Sequence, residues 1–372
     1  MSEGTNPMRL VVLGLSLSSS WGNGHATTYR ALLKAFAARG HEVTFLERDV
    51  AWYRGAHRDL ADPDWCNLVF YDGVPDVSRL RRLIAAADAV VVGSYVPDGV
   101  TIGRLVQDWA TGVTAFYDID TPVTLGKLER DDNEYIAPDL IPGYDLYLSF
   151  TGGPTLDLLE RRYGSPAARA LYCSVDPAAY PASPRIDRWD LSYLGTYSPD
   201  RQTVLDRLLI EPARRAPHLR FAVAGPQYPA GIEWPSNVER FEHVGPVDHP
   251  EFYASSRFTL NVTRADMVRA GWSPSVRLFE AGSCAVPVIS DRWDGLSSLF
   301  EPGRDILLAD GPDDVLAILS GTDTNRARAI GESGRARILA EHTADHRARE
   351  LEAYLAAARA HGRVARRLPA HA

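Results

Sequence analysis

Short apolar runs recur along this chain, separated by stretches whose apolar residues fall three and four apart. The first pattern is that of buried strands, the second that of one-sided helices. Residues 10–15, Leu-Val-Val-Leu-Gly-Leu, predict a buried strand. A Ser/Gly-rich loop over 16–24 follows, then a helix over 25–39 closed by Gly40, then a strand over 42–46 running into Glu47, Arg48 and Asp49. Parallel neighbours need such a helical crossover, so this is a βαβ unit. The alternation continues with helix 77–87, strand 89–93, helix 102–111 and strand 113–117, which ends in Asp118-Ile119-Asp120. Strand 144–150, a helix from 154 to about 163 and a short strand over 168–173 complete one doubly wound α/β domain.

Beyond Asp176, prolines at 177, 181 and 184 mark a linker. A second series then opens, with strands over 191–194, 220–224, within 238–244, 258–262 and 286–290. Helices start near 201 and span 250–255 and 275–282, and two helical stretches, 325–341 and 343–361, close the series. The expected domains are 1–178 and 186–342, with a C-terminal helix in 343–372 packing back on the first. The halves share a plan and no sequence repeat.

Composition narrows the function. The 372 residues are 45% hydrophobic and 24% charged, ordinary globular values that exclude wholesale disorder. A net charge of −8 argues against an extended nucleic-acid partner. Lys34 and Lys127 are the only lysines, so any phosphate must be held by arginine forks, helix N-termini or backbone N–H groups. Cys66, Cys173 and Cys284 are odd in number and far apart, which predicts neither a disulfide framework nor a zinc site. With no signal-peptide pattern and no apolar run of membrane-spanning length, a cytoplasmic location is expected. The arginines at 363, 366 and 367 read as a solvated tail.

Candidate chemistry gathers on loops that follow strands, the edge where such folds bind ligands. Trp21-Gly22-Asn23-Gly24-His25 joins the first strand to its helix. An imidazole there either removes a proton near neutral pH or simply caps the helix. Asp118 and Asp120 either orient His25, act as the base themselves, cap the next helix, or hold a metal-bound diphosphate. Thr151-Gly152-Gly153 is an anion-friendly turn or a plain N-cap. In the second half, Gly195-Thr196 and Gly225-Pro226 follow strands, and Arg264 and Arg269 flank a loop. Trp52, Tyr53, Trp65 and Tyr71 line an acceptor pocket or anchor the core. Gly22 and Gly24 give G-x-G with Thr27 in the third glycine's place, and Glu47 sits at a ribose-binding distance in sequence. An NAD(P)-dependent oxidoreductase is therefore an alternative.

Residues 275–290, Ser-Val-Arg-Leu-Phe-Glu-Ala-Gly-Ser-Cys-Ala-Val-Pro-Val-Ile-Ser, followed by Leu299-Phe-Glu-Pro-Gly303, resemble the donor-binding segment of nucleotide-sugar glycosyltransferases. The segments 116–122, 148–154 and 173–177 resemble the CgeB-like branch of that group, and the likeness runs from about residue 9 to 355. The resemblance implies the GT-B fold: two tandem Rossmann-like domains facing each other across a cleft, with C-terminal helices. It implies a UDP- or dTDP-sugar donor and an acceptor that stays unidentified. In such enzymes the glutamate at the place of Glu280 bonds the donor's ribose hydroxyls, and a carboxylate suits a vicinal diol because it accepts two bonds. The helix N-terminus at Ser273–Ser275 would face the diphosphate, with Arg277 adding a charged fork. Gly195, Thr196, Gly225 and Arg264 would complete the donor side. His25, Asp118 or Asp120 would supply the base, with Trp21, Gly22, Gly24, Thr151 and Gly152 on the acceptor loops. Retaining relatives carry a second glutamate eight positions before the first; here that position is Trp272, which with His25 favours inversion. A diphosphate held by a helix N-terminus needs no metal, so none is expected. A GT-B-fold nucleotide-sugar epimerase and a non-catalytic sugar-nucleotide-binding module are further alternatives.

Overall fold

The structure is a computed structural model that describes residues 6–21 and 24–365. Its contacts divide the chain into two compact units. One holds the chain up to Tyr172 together with residues from Ala344 onward, the other Cys173–Thr343.

The first unit is built on a parallel sheet of β1 (Arg9–Gly14), β2 (Glu42–Arg48), β3 (Asn67–Tyr71), β4 (Ala89–Gly93), β5 (Val113–Asp118), β6 (Leu146–Ser149) and β7 (Ala168–Ala170). Their order is β3-β2-β1-β4-β5-β6-β7, so the winding direction reverses between β1 and β4. Every residue of β4 and β5 is buried, because helices cover both sheet faces. Val11, Leu13, Val90 and Val92 point to one face and pack with Ile102, Val106 and Phe116. Leu10, Val12 and Val91 line the other face with Tyr29, Leu32, Leu33 and Leu351. The helix His25–Ala38 and the last helix, Ala344–Ala365, therefore cover that second face.

Some elements depart from expectation. β3 was not anticipated: it is an edge strand, mostly half-buried, and so lacks the continuous apolar signal of a central strand. The single helix over 77–87 is two, Val74–Arg79 and Arg81–Ala86, broken at Leu80. Tyr71 ends β3 and is 3% exposed, so it serves the core rather than a pocket.

The second unit repeats the plan with β8 (Trp189–Leu194), β9 (Phe221–Ala224), β10 (Val238–Phe241), β11 (Ser256–Asn261), β12 (Val288–Ser290) and β13 (Leu307–Leu308). The order is β10-β9-β8-β11-β12-β13, all parallel, with the reversal between β8 and β11. Leu191, Tyr193, Phe221, Val223, Phe258 and Leu260 form its core with Leu205, Leu208 and Leu209 of the helical run after β8. The expectation of two doubly wound α/β units holds. Among the described residues no helix is long and apolar enough to cross a membrane.

Candidate functional site

In a doubly wound sheet, ligands sit beyond the carboxyl ends of the strands where the winding reverses. In the first unit that point lies between β1 and β4. The loop after β1 leads to His25, the loop after β4 carries Ser94 and Tyr95, and β5 ends in Asp118 and leads to Asp120. The His25 ring meets the Tyr95 ring edge-on, with centroids 5.2 Å apart. Tyr95 donates its hydroxyl to Asp120 Oδ2 at 3.1 Å. The His25 Nδ1 is buried with no hydrogen-bond partner among the described residues. Burial pushes the His25 pKa below its ordinary value, against the upward pull of the Asp120 carboxylate. The imidazole is therefore neutral near pH 7, the form that can accept a proton.

Asp118 is fully buried, whereas Asp120 is half-buried. Tyr147 donates to its Oδ2 at 2.5 Å, while Thr124 Oγ1 at 2.8 Å and the Asp120 N–H at 3.2 Å donate to its Oδ1. Burial still pushes its pKa up to about 6, with those donors opposing. The native state thus keeps a proton that the unfolded chain, with a carboxylate near 3.8, has released. That contribution is fully present at low pH and is lost as pH rises through 6. Between pH 4.5 and 7 the loss amounts to about 2 kcal/mol. Urea unfolding of Asp118→Asn should show a stability that falls less over this interval than that of the native chain. An equal fall in both would remove Asp118 as the cause.

The remaining acceptor-side residues scatter. Trp21 packs on His57 (4.7 Å) and Trp52 (5.3 Å), and Trp52 is 56% exposed. Gly24 is the N-cap of the His25 helix, whereas Gly22 lies outside the described residues. Thr151 is fully buried, and its N–H and carbonyl are both engaged by the Ser149 hydroxyl. The cap of the following helix is Gly153 rather than Thr151. A side chain at Gly152 would start 2.0 Å from the Tyr172 hydroxyl, so that glycine serves a close approach within the fold. Glu47 is fully buried and accepts from the Leu17 and Ser18 N–H groups at 2.6 and 2.8 Å and from the Ser18 hydroxyl at 2.6 Å. It anchors the loop after β1, which removes the ribose ligand required by the oxidoreductase alternative.

In the second unit the reversal lies between β8 and β11. Gly195 and Thr196 follow β8, Gly225 follows β9, Thr263 and Arg264 follow β11, and Ser275 is the N-cap of the helix Val276–Ser283. Gly225 has φ +143°, and a Cβ there would lie 2.0 Å from the Gly195 carbonyl. Both strain and collision oppose a side chain, so Gly225→Ala should cost about 3 kcal/mol in urea unfolding. A loss below about 1 kcal/mol would show that the two loops separate easily.

Arg277 is 7% exposed and only partly committed. Its Nε donates to the Leu194 carbonyl at 2.5 Å, and its Nη1 to Asn261 Oδ1 at 3.1 Å. The Tyr193 ring lies 4.7 Å beneath the guanidinium. Its Nη2 comes so near Gly195 that a Cβ would sit 2.6 Å from it. Asn261 Oδ1 also accepts from Ser275 Oγ at 2.6 Å, so one amide fixes both the arginine and the start of the helix. The Ser275 side chain makes no cap bond among the described residues, while the Leu278 N–H donates to the Ser275 carbonyl at 3.1 Å. The Val276 and Arg277 N–H groups ahead of it form the helix start, where an anion is favoured. Ser273 is buried just ahead of it. Arg264 lies 3.5 Å from Asp200, and the nearby Arg201 has its Nε buried without a hydrogen bond among the described residues. Glu280, 5% exposed, accepts from the Tyr180 hydroxyl at 2.9 Å through Oε1. Its Oε2 lies 3.9 Å from His249 Nδ1. Beyond Gly225, the Arg240 guanidinium packs on the adjoining rings of Tyr228 (4.2 Å) and Trp234 (4.6 Å).

The structure thus gathers Gly195, Gly225, Ser275 and Arg277 directly, while Glu280 stands one helical turn further along. Sequence reasoning missed Asn261, Arg201, Tyr180, His249 and Tyr95. Asn261 left a signal, a polar amide inside the apolar run Phe-Thr-Leu-Asn-Val. Tyr180 left none, since it sits in the proline-rich stretch read as a linker. Among the described residues no group of three or more His, Cys, Asp or Glu gathers to hold a metal ion.

Comparison with known proteins adds to this geometry. Residues 201–353 match a family model described as glycosyl transferase-like. No curated protein sequence matches the chain. HepE of Anabaena, solved in complex with UDP and glucose, is 13% identical, with a TM-score of 0.68 over 94% of this chain and all of its own. Sucrose-phosphate synthase from Thermosynechococcus elongatus is 14% identical, with a TM-score of 0.68 over 92% of this chain and 97% of its own. An alpha-glucosyltransferase solved with UDP and a 13-mer DNA containing a HMU base is 11% identical, with a TM-score of 0.69 over 94% of this chain and all of its own. At such identities the likeness is one of fold, and the fold is GT-B.

Proposed function

We propose that the chain is a glycosyltransferase that moves a sugar from a UDP- or dTDP-linked donor to an acceptor hydroxyl. The observation that carries the reading is the buried constellation of Glu280, Arg277 and the helix N-terminus at Ser275, beyond the switch point of the second sheet. The Glu280 carboxylate can accept from a ribose diol, Arg277 has donors left after anchoring itself, and the helix start favours an anion. The glycosyl transferase-like match over residues 201–353 and the UDP in the complexes of HepE and the alpha-glucosyltransferase support the same assignment. The motifs at 116–122 and 275–290 support the CgeB-like branch.

In this reading the second unit holds the donor and the first supplies the base. His25 takes the proton of the acceptor hydroxyl, whose oxygen attacks the anomeric carbon. The bond from that carbon to the diphosphate oxygen breaks, and its electron pair leaves on the nucleoside diphosphate. Helix N–H groups, Arg277 and Arg264 offset the charge that develops there, without a required metal. One-step displacement inverts the anomeric centre, in keeping with Trp272 where a second glutamate would stand. The three free, buried cysteines suit a reducing cytoplasm. The acceptor is a small molecule, a polysaccharide, a protein or a nucleic-acid base.

The test is release of nucleoside diphosphate from UDP- and dTDP-sugars mixed with carbohydrate, peptide and nucleoside acceptors, with and without EDTA. Release that needs an acceptor and survives EDTA is the expected result. Release that EDTA abolishes and Mg²⁺ restores would contradict the metal-free step. Conversion of the donor's sugar without release would point to the epimerase alternative.

A further inference from the structure

Tyr95 is placed with unusual care. Its backbone has φ +63°, a left-handed conformation that a bulky side chain adopts only when its surroundings impose it. Those surroundings are visible. Ser94, one residue earlier, donates its N–H to the Tyr117 carbonyl at 2.9 Å and accepts from the Ile119 N–H at 3.1 Å. The loop after β4 is thereby tied to the end of β5 and the turn that follows it. The Tyr95 ring packs on Tyr135 at 4.6 Å, and the Tyr135 hydroxyl is paired with Thr124 Oγ1 at 2.8 Å. Thr124 in turn binds the buried Asp118. From this braced position one side chain touches two others, His25 with the edge of its ring and Asp120 with its hydroxyl.

We propose that Tyr95 is a positioning residue, which fixes the Asp120 carboxylate beside the His25 imidazole. The inference rests on the reading of His25 as the base, yet concerns a residue to which that reading gives no part. The physical need is clear. Burial weakens the imidazole as a base, and the carboxylate restores proton affinity only while it is held close. Asp120 is half-buried on a turn, and its backbone N–H rests on Asp118. The Tyr95 hydroxyl holds its Oδ2 from the loop after β4. The titratable groups about the imidazole are Asp120 and Tyr95, with Asp118 and Tyr135 behind them.

The test reads the histidine itself, in the full chain. The His25 imidazole is followed by NMR against pH, assigned by its disappearance in His25→Gln. Tyr95→Phe keeps both ring contacts and deletes only the hydroxyl, and an unchanged melting temperature would show that the fold persists. The expected result is a midpoint shifted to lower pH in Tyr95→Phe and in Asp120→Asn. The double variant should titrate where Asp120→Asn does, because the tyrosine acts through the aspartate. A midpoint that is unchanged or raised in Tyr95→Phe overturns the proposal, as does an equal shift with and without Asp120. A Tyr95→Phe chain that no longer melts cooperatively would instead assign the hydroxyl to the fold and also overturn it. None of these readouts needs turnover. A chain that transfers no sugar but shows the coupling would sink the proposed function and leave the positioning role standing.

Discussion

Glu280→Gln should weaken binding of the nucleoside diphosphate by about 100-fold while the chain stays folded, the loss expected when two hydrogen bonds to a charged group disappear. The Gln oxygen can still accept from Tyr180, so the buried hydroxyl keeps its partner. The amide nitrogen then takes the place of Oε2 and offers N–H groups where a ribose diol needs an acceptor. Glu280→Ala is the poorer test, because it also strands the Tyr180 hydroxyl. Calorimetric titration of both chains with UDP and dTDP checks the prediction. Equal affinities would show that Glu280 serves the fold alone.

If His25 is the base as proposed, His25→Ala should lower kcat by about 100- to 10,000-fold, the range for loss of a general base. The affinity for nucleoside diphosphate should not change, since Arg277, Ser275 and Glu280 belong to the other unit. The pH profile carries the sign. With the imidazole pKa held below 6.5, kcat should already be on its plateau at pH 7 and fall only under more acidic conditions. Full turnover in His25→Ala with unchanged donor binding would remove the base assignment. Asp120→Asn would then be the next variant to measure, since Asp120 is the more exposed of the two carboxylates after β5.

The strands at the centre of each sheet could be read directly because covered faces demand unbroken apolar runs, as in Ala-Val-Val-Val of β4. β3 escaped because an edge strand with half-buried residues has no such run. Leu80, where one expected helix divides into two, carries neither glycine nor proline to announce the break. For the candidate site, legibility followed local motif. Gly195, Gly225, Ser275 and Arg277 each follow a strand or open a helix, and their loops meet at one switch point. Asp118 and Asp120 look alike in sequence, two residues apart at the end of one strand. Only packing separates them, because Tyr147, Thr124 and full burial fall to the first. Tyr180 and Tyr95 act across 100 and 25 residues of chain, on Glu280 and Asp120, and no local pattern encodes such pairings.

The ligand of the second unit decides whether this chain handles a nucleotide-sugar. The direct measurement is a thermal-shift series with UDP, dTDP, GDP, ADP, NAD and NADP on the native chain and on Glu280→Gln. One nucleoside diphosphate should raise the melting temperature. At 100 times its dissociation constant it adds about 2.7 kcal/mol of stability, and the shift should shrink in Glu280→Gln. Stabilisation by NAD or NADP alone, unchanged in Glu280→Gln, would contradict the account and restore the oxidoreductase reading.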